Sequence, residues 1–201
     1  FATVLRESGK YTGVITRAEK LLSKNGTQGL GISFKSDDGE TASYLDLYTI
    51  KANGEKIMGF GFAQAILCCT RTKEAKEGII ECDKWDNDEG RMKSVKVNGY
   101  PSLIGAKIGF VLQRELQTHH INGTDVERLR IASVFEAATG LSSSEIIDGK
   151  TKPQKADRVA RYVEMNPVVD RRKKSAVSAQ QAAKTPSVAD DMAPFSDDIP
   201  F

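Results

Sequence analysis

The sequence predicts an all-β domain with one short helix, a five-stranded antiparallel barrel followed by a disordered C-terminal tail. Three observations carry the prediction. Four Asn-Gly pairs, Asn25-Gly26, Asn53-Gly54, Asn98-Gly99 and Asn122-Gly123, punctuate the first 125 residues. Between them apolar residues alternate with a period of two, the repeat of a half-buried strand. From Ser175 onward the composition changes to Ala, Ser, Gln, Thr, Pro and Asp, which buries too little apolar surface to offset chain entropy.

The elements follow in order. Tyr11 to Ala18 alternates loosely and reads as the first strand. Asn25-Gly26 suits the positive-φ positions of a hairpin turn. In the second strand Leu30, Ile32 and Phe34 share one face, and Gly31 and Ser33 share the other. Tyr44 to Ala52 is the third strand; Asn53-Gly54 turns the chain, and Glu55 to Phe60 continues as strand. Phe62 to Arg71 is compact, apolar and free of proline, the best helix candidate. Ala75 to Tyr100 is polar, carries Trp85, and reads as an insertion or extended loop before the fourth strand. Ile108, Phe110 and Leu112 mark the fourth strand. Leu129, Ile131 and Phe135 mark the fifth, whose other face holds Arg128 and Arg130. This is the order of an OB barrel, with its helix between the third and fourth strands; other small barrels and sandwiches also fit the strand count. Residues 153–164 read as a short basic helix. The domain plan is a barrel over 1–149 with an insertion near 75–100, a basic extension over 150–174 and an acidic tail over 175–201.

Composition excludes several classes. No run of about 18 apolar residues exists to span a bilayer, and no secretion signal is expected from Phe1 to Lys10, which shows no charged-then-apolar pattern. Cys68, Cys69 and Cys82 are an odd count without a C-x-x-C pair. Inert buried thiols in a reducing cytoplasm are expected, and neither a disulfide framework nor a zinc site with His119 and His120. The net charge of +2 conceals segmentation. Lys184 against Asp190, Asp191, Asp197 and Asp198 makes the tail −3, which leaves the preceding residues +5, nine of their bases falling within 150–174. No metal and no cofactor is expected. Asp83, Asp86, Asp88 and Glu89 lack the EF-hand arrangement. The glycines of Gly29-Leu30-Gly31 and Gly59-Phe60-Gly61 lack the rest of a dinucleotide fingerprint, and no phosphate-binding P-loop motif is present.

The last nine residues, Ala193 to Phe201, place apolar groups at the tip of a polar tail, where only a binding partner would use them. Phe201 offers a ring and a carboxylate, whose complement is an apolar pocket with a basic rim. Pro200 restricts the backbone before binding, Ile199 adds apolar contact, and Asp197 and Asp198 add charge for encounter.

This ending, Asp-Asp-Ile-Pro-Phe, resembles the C-terminal tip of the bacterial single-stranded DNA-binding protein family. The resemblance implies a protein that coats unpaired DNA and recruits replication, recombination and repair enzymes through that tip. It does not extend across the barrel. Tyr11 to Ala18 departs from the opening strand of the bacterial proteins and the 75–100 insertion is foreign to them, so the body resembles a bacteriophage-encoded member acting in host cytoplasm. Tetramers are not carried over, and homo-oligomerisation stays open.

Sequence-tolerant binding of single strands needs aromatic faces for bases and cations for phosphates. Tyr44 and Tyr48 share a strand face with Asp46, outward if Leu45 and Leu47 are core; packing in the core is their other reading. Trp85 is a further stacking candidate, amid acids that repel phosphate. Phe60, Phe62 and Phe110 are assigned to the core. The cations are Arg128 and Arg130 on one strand face, Arg114 and Lys107 from the preceding strand if register allows, and Lys35, Lys51 and Lys56 flanking the second and third strands. Three rivals stand beside coating: a metal-dependent nuclease built on the 83–89 acids, an adaptor that binds only protein, and a strand-annealing protein.

Overall fold

The computed structural model describes residues 3–119 and 121–172. The chain runs β1 (Gly9–Leu22), β2 (Gln28–Ser36), β3 (Thr41–Ile50), α1 (Met58–Cys69), β4 (Gly78–Asp86), β5 (Arg91–Gly99), β6 (Lys107–Thr118), β7 (Asp125–Phe135), α2 (Ser143–Ile147), α3 (Lys155–Met165) and β8 (Val168–Asp170). It is mostly strand, and every pairing between named strands is antiparallel except that of β8 with β6.

β1 organises the sheet. Gly9–Val14 pair with β6, Gly13–Leu22 pair with β2, and Glu19 meets Gly99 of β5. β3 pairs with the far edge of β2, and β7 with the far edge of β6, so one path reads β3-β2-β1-β6-β7. Closure of that path by a hydrogen-bonded β3–β7 ladder, expected from the sequence, is not seen among the described residues. The two strands approach each other, and α1 packs against both.

Alternation places the core. Thr16 is accommodated in a bulge of β1, so that Ile15 and Ala18 both point inward. They meet Leu30, Ile32 and Phe34 of β2, Leu45 and Leu47 of β3, and Ile108, Phe110 and Leu112 of β6. The rings of Phe34 and Phe110 meet edge to face at 5.1 Å between centroids. α1 lends Phe62, Ala63, Ile66, Leu67 and Cys69 to the same core. A helix this apolar around its circumference has to be buried. Phe62 and Phe110 are core, as expected, whereas Phe60 is only half-buried. Burial pushes the Cys69 thiol up, and the cysteines are free.

A second, smaller apolar layer covers the outer face of β6 and β7. Ala156, Val159 and Val163 repeat at helical spacing on α3 and pack on Val111, Ala132 and Phe135. The basic helix expected over 153–164 is therefore part of the folded body. Glu145 joins the two: buried, it accepts the N–H groups of Ser142 and Gln154 at 3.0 and 2.9 Å, capping α2 and pinning the start of α3.

Three local readings are corrected. Glu55–Phe60 is not a strand: Lys56 makes one bridge to Ile50, and the helix begins at Met58, earlier than expected. The 75–100 insertion is a β-hairpin rather than a loop. Its turn lies at Asp86–Gly90, where the Asp86 carboxylate accepts the N–H groups of Asp88 and Glu89, and not at Asn98-Gly99. That pair lies inside β5, where Gly99 is needed for close approach: a Cβ there would stand 2.3 Å from the Ala18 carbonyl oxygen. Asn25-Gly26 and Asn122-Gly123 do sit in hairpin turns. Among the described residues no helix is long and apolar enough to cross a membrane.

Gly99→Ala should part β5 from β1 and lower stability by about 1–3 kcal/mol. Thermal unfolding followed by circular dichroism checks this; an unchanged Tm would mean that the contact with Ala18 is not needed.

Candidate functional site

The outer face of β1, β2 and β3 is shaped by what β2 lacks. Its outward positions are Gly29, Gly31, Ser33 and Lys35, so the middle of the face is a low floor. Leu45 and Leu47 point inward, and Tyr44, Asp46 and Tyr48 stand outward, with the tyrosines 58% and 43% exposed. A Cβ on Gly29 would come within 3.1 Å of the Tyr48 ring. The glycine thus lets that ring lean over β2.

Tyr44 is set by backbone irregularity. The β2–β3 register slips between the Ile32–Leu45 and Phe34–Ala42 pairs, and Tyr44 takes a φ of 59°. Left-handed backbone is rare for a bulky side chain. The Arg17 guanidinium from β1 lies 5.7 Å from the centroid of its ring.

Beneath the tyrosines is a charge network. Arg17 donates through Nε and Nη2 to Glu19 Oε2 at 3.0 and 2.5 Å and pairs with Asp46 at 3.6 Å. Lys84, from the β4–β5 hairpin, donates to Glu19 Oε1 at 2.6 Å. Burial alone would raise the Glu19 carboxyl, but Lys84 and Arg17 hold it below its ordinary value of 4.5. Burial raises the Asp46 carboxyl against the opposing pull of Arg17 and Arg128.

β3 faces β7 across a concavity of about 380 Å3, lined by Tyr44, Tyr48, Met58, Arg128, Arg130 and Glu115 among others. It adjoins a second of about 760 Å3, where Arg6, Thr41 and Tyr44 face Glu127 and Arg128. Arg130 donates to Gln113 Oε1 at 2.8 Å and pairs with Glu115 at 3.4 Å. Arg171 pairs with the same carboxylate at 3.0 Å. Burial, and then the neighbouring Arg171 charge, lower the affinity of Arg130 for its proton.

Of the residues singled out from sequence, Tyr44, Tyr48, Arg128 and Arg130 are brought to one groove. Lys35 lies on the same outer face of β2 as the glycine floor, about 20 Å from Gly29 at strand spacing. The others are elsewhere. Arg114 does not share the Arg128 face: the register sets it opposite Leu129, while Glu115 lies opposite Arg128, and it is clamped by Glu127 at 2.7 and 3.0 Å. Lys107 stands at the other end of β6, opposite Val14. Lys51 pairs with Glu55 at 2.9 Å, and Lys56 lies 4.7 Å from the Phe60 centroid. Trp85, 57% exposed, pairs with Met92 on the hairpin face opposite to Lys84, pointing away from the network. Its acidic neighbours Asp86 and Glu89 are paired with Lys93 and Arg91. Among the described residues no group of three His, Cys, Asp or Glu is arranged to hold a metal ion. Asp197, Asp198, Ile199, Pro200 and Phe201 lie outside the described residues.

Sequence reasoning missed Arg17, Met58 and Arg6. Arg17 and Glu19 alternate with inward residues on β1, a signal that was present but weak. Met58 was assigned to a strand that does not form. Arg171 was visible only as one of nine bases. Comparison of the chain with protein-family models and with curated proteins finds no match to either.

Glu19 ties the hairpin to β1. A carboxyl held low in the folded state adds stability that is complete above its unfolded value and is lost as pH falls through the folded one. Glu19→Gln should therefore cost on the order of 3 kcal/mol near neutral pH. It should also flatten the fall of Tm below pH 4.5. Calorimetric scans of both proteins from pH 7 to about pH 3 measure this; parallel curves would sink it.

Proposed function

We propose that this protein binds and coats single-stranded DNA without strong sequence preference, as a binding protein and not an enzyme, in DNA replication, recombination and repair. The observation that carries the reading is the groove itself. On β3 two exposed tyrosines stand beside the glycine floor of β2 on one side and, on the other, face Arg128 and Arg130 of β7 across the concavity. Every base has a π-face, so stacking on Tyr44 and Tyr48 tolerates any sequence, and arginines beside them suit the phosphates. The groove is only modestly cationic, because Asp46 and Glu115 line it beside Arg128 and Arg130, and Glu115 pairs with Arg130. Stacking is accordingly the larger contribution, and Met58 adds apolar surface beside the rings.

The strand order supports an OB-type barrel. In the path β3-β2-β1-β6-β7 the helix follows the third strand, and the β4–β5 hairpin is an insertion before the next strand of the path. The tyrosines and the glycine floor then occupy the face of the second and third strands, where such barrels bind oligonucleotides, and the groove extends from the third strand toward β7. Three free cysteines accord with work in a reducing cytoplasm. The Asp197–Phe201 tip enters on its sequence alone, as the peptide that recruits partner enzymes. The acidic tail competes with DNA for the basic surface.

Fluorescence anisotropy with labelled oligo-dT at two salt concentrations tests the reading. Tyr44→Ala and Tyr48→Ala should each weaken binding by about 1–3 kcal/mol, roughly five- to 150-fold. Arg128→Ala should reduce the slope of log affinity against log salt by about 0.7. No binding by the unaltered protein in dilute buffer would end the proposal. In the same assay, removal of residues 190–201 should tighten binding at low salt and change little at high salt. Equal affinities at low salt would remove the tail from the competition.

A further inference from the structure

Tyr44 unites properties that work against one another. Its ring is more than half exposed, its backbone is left-handed within a strand, and it nevertheless lies over a guanidinium. Strained backbone persists where the surroundings hold it, and such positions gather at functional sites.

The holding group is Arg17. Its side chain is 13% exposed, so it is largely covered beneath a surface ring. The guanidinium lies in space that exists because position 31 is glycine: a Cβ there would stand 2.7 Å from Nη2 and 3.1 Å from Cζ. Glu19 fixes Nε and Nη2, and Asp46 faces Nη1 at 3.6 Å. Among the described residues Arg17 Nη1 is a buried side-chain nitrogen with no hydrogen-bond partner. An arginine serving only to neutralise Glu19 and Asp46 need not leave a donor unmatched. One that carries a ring is set by the ring's position. A cation over an aromatic face is attracted by it, and a ring fixed in advance loses less freedom when a ligand settles on its other face.

We propose that Arg17 is the positioning residue for Tyr44: sunk in the notch at Gly31 and clamped by Glu19 and Asp46, it holds the ring as a rigid platform for one nucleobase. The inference rests on the single-stranded DNA reading. In it the stack runs guanidinium, tyrosine ring, base, and Arg17 touches neither base nor phosphate. The β4–β5 hairpin takes part through Lys84, which holds the other oxygen of Glu19.

The test is a double-mutant cycle on the full chain, read by oligo-dT anisotropy at two salt concentrations. The unaltered protein comes first; if it fails to bind, both the site reading and this inference fall. If it binds, Arg17→Met should weaken binding about five- to 150-fold, the span of one stacked base, much as Tyr44→Ala does. The double variant should be no weaker than Tyr44→Ala alone, and the salt slope should not move. Arg17→Lys keeps a positive charge for Glu19 and Asp46 and so preserves the fold if Arg17→Met does not. Lacking the planar guanidinium, it should show the same loss with a Tm near the parent's. Undiminished affinity in Arg17→Lys would overturn the proposal while leaving DNA binding intact. So would losses that add in the double variant, or a slope reduced by about 0.7, because Arg17 would then contact a phosphate itself.

Discussion

The fold depends on the backbone of one strand being shared. β1 has 14 residues, more than its pairing with any single neighbour uses. Its first part bonds β6, most of its length bonds β2, and Glu19 near its end meets β5. Because a backbone N–H or C=O buried without a partner is costly, each segment of β1 dictates which strand must lie beside it. Where β1 no longer pairs with β6, the short strand β8 takes that edge opposite Arg114–Leu116. The curl of the sheet follows from this sharing, since β2 and β6 lie on opposite edges of β1 and both turn their apolar faces to α1 and to each other. The contact of Phe34 with Phe110 is the result.

The same strand builds the site. The bulge at Thr16 keeps Ile15 and Ala18 inside and turns Arg17 and Glu19 outward. Arg17 then reaches over β2 at Gly31 and meets the carboxylate of Asp46 on the next strand but one. The absence of side chains on β2 is thus a structural component. It admits the guanidinium, lets Tyr48 lean inward, and leaves a trough between the tyrosines and the hairpin. The charges in that trough nearly cancel.

How much of this could be read in advance differs between neighbours. Tyr44 and Tyr48 were legible as outward residues because Leu45 and Leu47 between them claim the core, and a strand has only two faces. Arg128 and Arg130 were legible for the same reason against Leu129 and Ile131. Their meeting across the groove was not, since it depends on β3 and β7 being brought side by side from 80 residues apart. Arg114 was grouped with Arg128 because it comes from the preceding strand, a grouping that held only if the register allowed it. A one-residue difference in register moves a side chain to the opposite face, and here it exchanged Arg114 for Glu115. Asn98-Gly99 carried the strongest local signal for a turn, yet the chain turns at Asp86–Gly90 instead. Gly99 is selected by the backbone pressed against it, a reason that no local pattern records.

What the sequence determined by itself is what short-range physics determines: the strands of the path β3-β2-β1-β6-β7, which of their faces are apolar, and a short basic helix over 153–164. Periodicity and turn propensity act over a few residues, so they can be read along the chain. Only the tertiary structure decided the partners of β1, the unpaired approach of β3 to β7, and the assembly of Arg17, Asp46, Glu19 and Lys84 beneath Tyr44. Those follow from register and from close packing over glycine, where contacts between distant residues set the outcome.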